Sequence, residues 1–180
     1  ATVNTYTVVY NKNSNDATGS MNTSAHTYNV EKALNENGYS RVGYTFTKWT
    51  LGGTGSAMTT FTAAATFTMG TANATLTAQW TANPYTVTYN SNYGTATTAT
   101  QSVTYDQTWT TKPQNTFSRT GYTLTLWDTQ ADGKGTKYGF NAAQPAWTRT
   151  SNLTLYAVWT ANTNTPYVVN HYLMDLNGTT

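Results

Sequence analysis

The chain repeats itself, and no other feature restricts its fold as much. Tyr6-Thr7-Val8-Val9-Tyr10-Asn11 returns as Tyr85-Thr86-Val87-Thr88-Tyr89-Asn90. Arg41-Val42-Gly43-Tyr44-Thr45-Phe46-Thr47-Lys48-Trp49 returns as Arg119-Thr120-Gly121-Tyr122-Thr123-Leu124-Thr125-Leu126-Trp127. The closing block, Ala74 to Asn83, returns over Leu153 to Asn162. Three blocks recur in one order at a spacing of 78 or 79 residues. A sequence duplicated in this way folds as two copies of one small unit, which supplies reach and surface more readily than a single catalytic centre.

A unit of that size lies near the lower limit for burying a self-sufficient core. The 14 Tyr, 6 Trp and 5 Phe compensate, because each aromatic ring buries a large area. Only 9% of residues are charged, against roughly 25% in an ordinary soluble domain. Thr makes up about a quarter of the chain, and its branched side chain favours strands. The absence of cysteine excludes disulfides, thiolate nucleophiles and thiolate metal sites. A net charge of +2 from 9 basic and 7 acidic residues, without a basic cluster, argues against nucleic acid as a partner. The apolar runs are far shorter than a membrane span. No signal peptide is visible, and a mature chain beginning at Ala1 is what removal of one leaves.

Tyr6–Tyr10, Tyr85–Tyr89, 44–49, 122–127, 76–80 and 153–159 alternate with the two-residue period of half-buried strands. Asn29 to Gly38 has an Asn start, a Glu-Lys-Ala-Leu interior and a terminal Gly, which predicts a helix of about two turns. Its counterpart near Asp106–Asn115 contains Trp109 and Pro113 and is a poor helix former. The expected organisation is a first module over 1–82, a second over 84–161, and a linker with an isolated strand over 162–180. Thr81-Ala82-Asn83-Pro84 joins the modules, a linker short enough to hold neighbours close.

The Tyr-Thr-Val-Thr-Tyr-Asn strand, the Gly-Tyr-Thr-Phe-x-x-Trp block, the Ala131-Asp132-Gly133-Lys134-Gly135-Thr136 turn and the Leu155-Tyr156-Ala157-Val158-Trp159 ending resemble the Listeria–Bacteroides repeat. This repeat is also called the internalin B-repeat. The resemblance covers 5–82 and 84–161. It implies a compact β-grasp-like module, used in tandem on secreted or wall-attached bacterial proteins that are adhesins or stalks, with no catalytic residues of its own. Lys48 and Leu126 stand where the family usually has Gly before the Trp, and 51–56 replaces the Asp-Gly turn in the first copy. The segment Tyr167–Asn177 is similar to the first strand of a mucin-binding-protein-type module. The fold class expected is mainly β or α+β: two tandem β-grasp-like modules, elongated.

The search for chemistry leaves little. Gly52-Gly53-Thr54-Gly55-Ser56 lacks the Lys-Ser/Thr pair of a phosphate loop and reads as a Gly-rich turn. Asp128 and Asp132 offer too few oxygens for Ca²⁺ and read as turn residues. His26 and His171 sit in no catalytic or metal-ligand spacing and read as partly exposed strand residues. Glu31 and Glu36, the only glutamates, read as a solvated helix face rather than a glycosidase pair. The Asn-x-Ser/Thr sequons at Asn22, Asn73, Asn152 and Asn177 follow from composition. A Lys–Asn isopeptide crosslink needs a buried carboxylate beside the pair, which a sequence does not place. No cofactor is implied and no enzyme is expected.

The leading expectation is therefore a non-enzymatic extracellular structural or adhesive protein, part of a bacterial surface stalk, adhesin or filament. Its partners are neighbouring copies of itself, further modules of the same protein, or a host glycan or protein. Trp49, Trp127, Trp80 and Trp159 recur in both copies and read as core. Trp109 and Trp147 do not, and are the candidates for exposed aromatic contacts in the alternative of a carbohydrate- or mucin-binding module. Tyr167, Val169, His171 and Leu173 form a candidate assembly strand. It begins a further module if the chain is a fragment, or adds to a neighbour's sheet edge if the chain is a filament subunit.

Overall fold

A computed structural model describes residues 2–52, 59–164 and 168–170. Each repeat builds one five-stranded sheet. In the first the strand order is Ser24–Thr27, Thr5–Asn11, Ala74–Ala82, Tyr44–Leu51, Thr60–Phe61. In the second it is Thr98–Thr104, Pro84–Asn90, Leu153–Ala161, Tyr122–Asp128, Lys137–Tyr138, the same order again. Strands Thr5–Asn11 and Ala74–Ala82, the first and last of their repeat, run parallel with Val8 opposite Ala74 and Tyr10 opposite Leu76. The others that flank them pair antiparallel. Pairing of first with last strand closes the whole repeat over a long loop, which only burial of apolar side chains offsets.

That burial follows the alternation read in the sequence. Val8, Leu76 and Ala78 are fully buried in the first repeat, as are their counterparts Val87, Leu155 and Ala157 in the second. Trp49 and Trp127 are the largest of these side chains, both with no exposed surface. Trp49 lies within 4.8 Å of Phe46 and 5.2 Å of Tyr10, ring centre to ring centre. Trp127 lies 4.9 Å from Tyr89 and 5.9 Å from Phe117. Burying roughly 200 Å² of one such ring contributes about 5 kcal/mol of transfer free energy. Each Trp is placed by a bulge: register slips between Phe46 and Lys48, and again between Leu124 and Leu126. The extra residue in each bulge, Thr47 or Thr125, donates its hydroxyl across the pair at 3.0 Å, to Gln79 O or Val158 O.

The fold is mainly β, as expected, but the helix over Asn29–Gly38 does not form. Asn29 takes a left-handed φ of 55° and ends the preceding turn. Glu31–Ala33 is instead a strand, antiparallel to Thr66–Thr68 with Lys32 opposite Phe67. Leu34 N–H then donates to Ala65 O at 2.9 Å, and the Leu34 side chain is buried in the core. An isolated two-turn helix is marginal in water, whereas the strand satisfies the same backbone donors and also buries Leu34. Among the described residues there is no α-helix; Gln114–Thr116 is a 3₁₀ turn. No helix among them is long and apolar enough to cross a membrane.

Packing does not follow the repeat boundary. The described residues of 1–87 form one compact unit together with 101–109 and 143–153. Those of 88–100, 110–142 and from 154 onward form the other.

Candidate functional site

The structure moves several of the residues singled out in the sequence. Trp147 is buried, with 2% of its surface exposed, and is not an exposed contact. It occupies the position that Met69 fills in the first repeat: Asn29 N–H donates to Met69 O, and Asp106 N–H donates to Trp147 O, each at 2.9 Å. Trp109 packs edge-on against it with ring centres 5.5 Å apart, and Tyr85 stacks on it at 6.1 Å. The two tryptophans without aromatic counterparts are thus brought together as packing. Of the candidate assembly strand, Tyr167, His171 and Leu173 lie outside the described residues. Val169 is described, exposed, and in no strand. Gly53–Ser56 also lies outside them.

His26 is fully buried rather than partly exposed. Its Nε2 meets the Ser24 hydroxyl at 2.9 Å, and that hydroxyl meets the Tyr10 hydroxyl at 3.0 Å. Tyr10 in turn accepts from Asn35 N–H at 2.8 Å. Burial, reinforced by the Lys32 charge, holds the His26 pKa below its ordinary value. This chain of hydroxyls and imidazole fills core space between strands.

Both carboxylates of the candidate calcium turn are engaged within the turn itself. Asp128 is buried and accepts Gln130 N–H at 2.8 Å, Gly135 N–H at 2.9 Å and Lys137 Nζ at 3.4 Å. Burial raises its pKa, but these donors together outweigh it and leave the carboxyl below its usual value. Asp132 accepts Lys134 N–H at 3.0 Å. Glu31 and Glu36 are exposed, on strand and coil rather than on a helix face. Asn73 and Asn152, read as chance sequons, accept the N–H groups of Thr7 and Thr86 at 2.8 and 2.9 Å. They do the same work in the two copies.

A second set of repeated residues forms a joint inside the first compact unit. Gly43 is buried at φ 76°, and the Tyr105 ring lies over it so closely that a Cβ there would overlap the ring. The Tyr44 hydroxyl donates to Asp106 Oδ2 at 2.7 Å, and the Tyr44 and Tyr105 rings meet at 5.6 Å. That hydrogen bond, helped by desolvation, raises the Tyr44 pKa. The Arg41 guanidinium rests 3.5 Å above the Tyr44 ring and pairs with Asp16 at 2.9 Å. Asn83 ties the parts together. Its N–H donates to Gly43 O at 2.9 Å, its side chain accepts the Thr45 hydroxyl at 2.6 Å, and its carbonyl accepts Tyr105 N–H at 3.0 Å. In the sequence Arg41–Tyr44 stands out only as part of a repeated block, and Tyr105–Asp106 has no assigned role. A usable signal was present, since a Tyr followed by Asp or Asn recurs after the second strand of both copies, as Tyr28-Asn29 and Tyr105-Asp106.

Within the second compact unit, a groove of about 1250 Å³ is lined by Tyr93, Gln114, Phe117, Arg119, Tyr122 and Trp159, among others. Arg119 lies 3.5 Å above the Tyr122 ring and 5.2 Å from the Tyr93 ring. Trp159 is anchored by its indole N–H to Ser91 O at 2.7 Å, as Trp80 is to Lys12 O at 2.8 Å. Among the described residues no three His, Cys, Asp or Glu side chains cluster as a metal site. The groove offers ring stacking and hydrogen bonding.

Residues 6–84 match the family model described as the divergent InlB B-repeat domain, and residues 85–158 match that of the Listeria–Bacteroides repeat domain. The chain is 34% identical over 131 residues to a protein of Evansella cellulosilytica named provisionally as a Gly-rich membrane protein. That match takes in 68% of this chain and 15% of the relative. A second protein of the same organism, named provisionally as a membrane protein, is 38% identical over 92 residues, 50% of this chain and 14% of that protein. The chain thus spans a small part of the length of either relative. No solved structure matches it.

Proposed function

The chain belongs to the B-repeat family, as a divergent InlB B-repeat followed by a Listeria–Bacteroides repeat, and from that premise we propose that it is a non-catalytic structural segment of an extracellular bacterial surface protein. These families are surface-associated repeat domains. The observation that carries the reading is how the repeated residues are used. Trp49/Trp127 and Leu76/Leu155 fill cores, Asn73/Asn152 hold first strands, and Asn83/Asn162 cap the repeat ends. Residues present twice are spent on building and joining the repeats. A chain used in this way supplies length and spacing for whatever the rest of a larger protein carries. The much longer relatives with membrane-protein names fit that role.

Antibodies raised against this segment test the location. They are expected to label intact bacterial cells that carry the full-length protein, and to lose that label after brief external protease. Labelling only after permeabilisation overturns the reading.

The groove beside Tyr93 and Tyr122 favours one further reading, a glycan-binding module, because exposed Tyr rings flanked by Arg119 and Gln114 suit a sugar face and its hydroxyls. A glycan array answers this directly. Retained glycan that is lost with Tyr93→Ala supports it, and no retained glycan removes it.

A further inference from the structure

The two repeats build the same arginine site and finish it differently. In the first, the Arg41 guanidinium lies 3.5 Å above the Tyr44 ring, and its Nε donates to Asp16 Oδ1 and Oδ2 at 2.9 and 3.0 Å. The Ser14 hydroxyl and Arg41 together hold the Asp16 carboxyl below its usual pKa. Ring, cation and carboxylate all come from the chain.

In the second repeat Arg119 lies at the same 3.5 Å above Tyr122. The loops that reach these arginines also begin alike. Asn13 and Asn92 have φ of 54° and 55°, and their N–H groups donate to Asn11 Oδ1 and Asn90 Oδ1, each at 2.8 Å. Beyond that point the copies part. Asp16 follows in the first loop, whereas residues 91–104 contain no Asp or Glu. Tyr93 takes the side of the arginine instead, with its ring centre 5.2 Å from the guanidinium. Among the described residues Arg119 forms no ion pair. It is a half-buried cation between two rings, and its planar fork matches a carboxylate.

Arg119 lines the groove of about 1250 Å³, which exceeds the roughly 300–1,000 Å³ of a small-molecule pocket and so suits an extended ligand. The other walls set the chemistry of that ligand. Tyr93 meets Trp159 edge-on at 5.5 Å, and its hydroxyl donates to Ser118 O at 2.7 Å, so both rings are held in place. The Gln114 side chain donates to Leu124 O at 2.7 Å, which fixes its amide beside them. Fixed rings suit the C–H faces of sugars, and a fixed amide suits their hydroxyls.

We propose that this groove binds an acidic oligosaccharide, whose uronic-acid carboxylate pairs with Arg119 as Asp16 pairs with Arg41. The sugar rings lie along Tyr93 and Trp159, and Gln114 takes a hydroxyl. The site is confined to the second repeat, because the chain itself supplies the acid in the first. The proposal rests on the glycan reading of this groove and adds the charge that the ligand carries.

Isothermal titration of the intact chain compares tetragalacturonate with its methyl ester, cellotetraose and tetraglutamate. Esterification keeps the rings and their hydroxyls and removes the charge. The acid is expected to bind about tenfold or more tightly than the ester, the usual weight of a hydrogen bond to a charged group. Arg119→Gln is expected to bring the acid down to the affinity of the ester, and Arg41→Gln to change neither. Arg119→Lys, which keeps the charge without the fork, is expected to fall between; circular dichroism checks that each variant is folded. Acid, ester and cellotetraose bound equally, with all three lost in Tyr93→Ala, overturns the acidic ligand and leaves the glycan reading standing. Tetraglutamate bound through Arg119 with no sugar retained, or no ligand bound at all, overturns both.

Discussion

At the scale of single residues, the two copies act as controls for one another. His26 in the first repeat occupies core space that buried Val103 takes in the second strand of the other repeat. Its folded pKa is depressed, so the stability it allows is fully present above the unfolded value of about 6.5 and is lost as pH falls through the folded pKa. Thermal melts from pH 7.5 down to pH 5 are expected to show this acid loss, and His26→Val to flatten it; an unchanged pH slope in the variant excludes His26 as the cause. Trp147 is the second case. Its lack of an aromatic counterpart suggested exposure, yet a residue absent from one copy can as well be core that the other copy fills with Met69. Trp147→Ala is expected to cost roughly 3–5 kcal/mol in urea unfolding, the usual loss for a buried large aromatic, whereas Trp147→Met costs clearly less. Sequence alone did not separate these readings, because ring size says nothing about which way a loop residue points.

At the scale of elements, strands were legible and their connections were not. The alternation of Tyr6, Val8 and Tyr10 records a buried face directly in the sequence, with period two. The crossover after Asn29 carries helix-forming residues, but its partner strand Thr66–Thr68 lies far along the chain and decides the outcome. Local propensity loses there to non-local pairing. The Tyr105–Asp106 turn was missed for a similar reason, since its significance lies in Gly43, distant in sequence and adjacent in space. Gly43→Ala tests that joint. The left-handed backbone alone penalises a Cβ by about 1–2 kcal/mol, and overlap with the Tyr105 ring adds to it. Hydrogen exchange is expected to quicken at Tyr105, whose N–H is bonded to Asn83, while the Val8 and Leu76 amides stay protected. Equal loss of protection everywhere indicates global unfolding instead of an opened joint.

At the scale of the molecule, two compact units whose boundary does not follow the repeat boundary make two-state unfolding a poor expectation. Calorimetry is expected to give a total enthalpy larger than the van't Hoff value. The first unit holds His26, so the transition that moves to lower temperature on acidification belongs to it. A single symmetric transition with matching enthalpies argues against independent units. No thiol participates, so neither transition responds to reducing agents.

The sequence by itself determined that one β-rich unit is built twice, that aromatic residues supply its core, and that the chain belongs with repeat modules of surface proteins. The first two properties are written in periodicity and in repetition, which survive without coordinates; the third rests on the resemblance of its motifs to the repeat family. Only the tertiary structure decided which distant segment packs on a repeated residue, as Tyr105 does on Gly43. Tyr28 and Tyr105 are equivalent in sequence and backbone, yet Tyr105 lies over Gly43 while Tyr28 is 47% exposed. Contact with a distant segment is a three-dimensional fact, and no local pattern in the sequence records it.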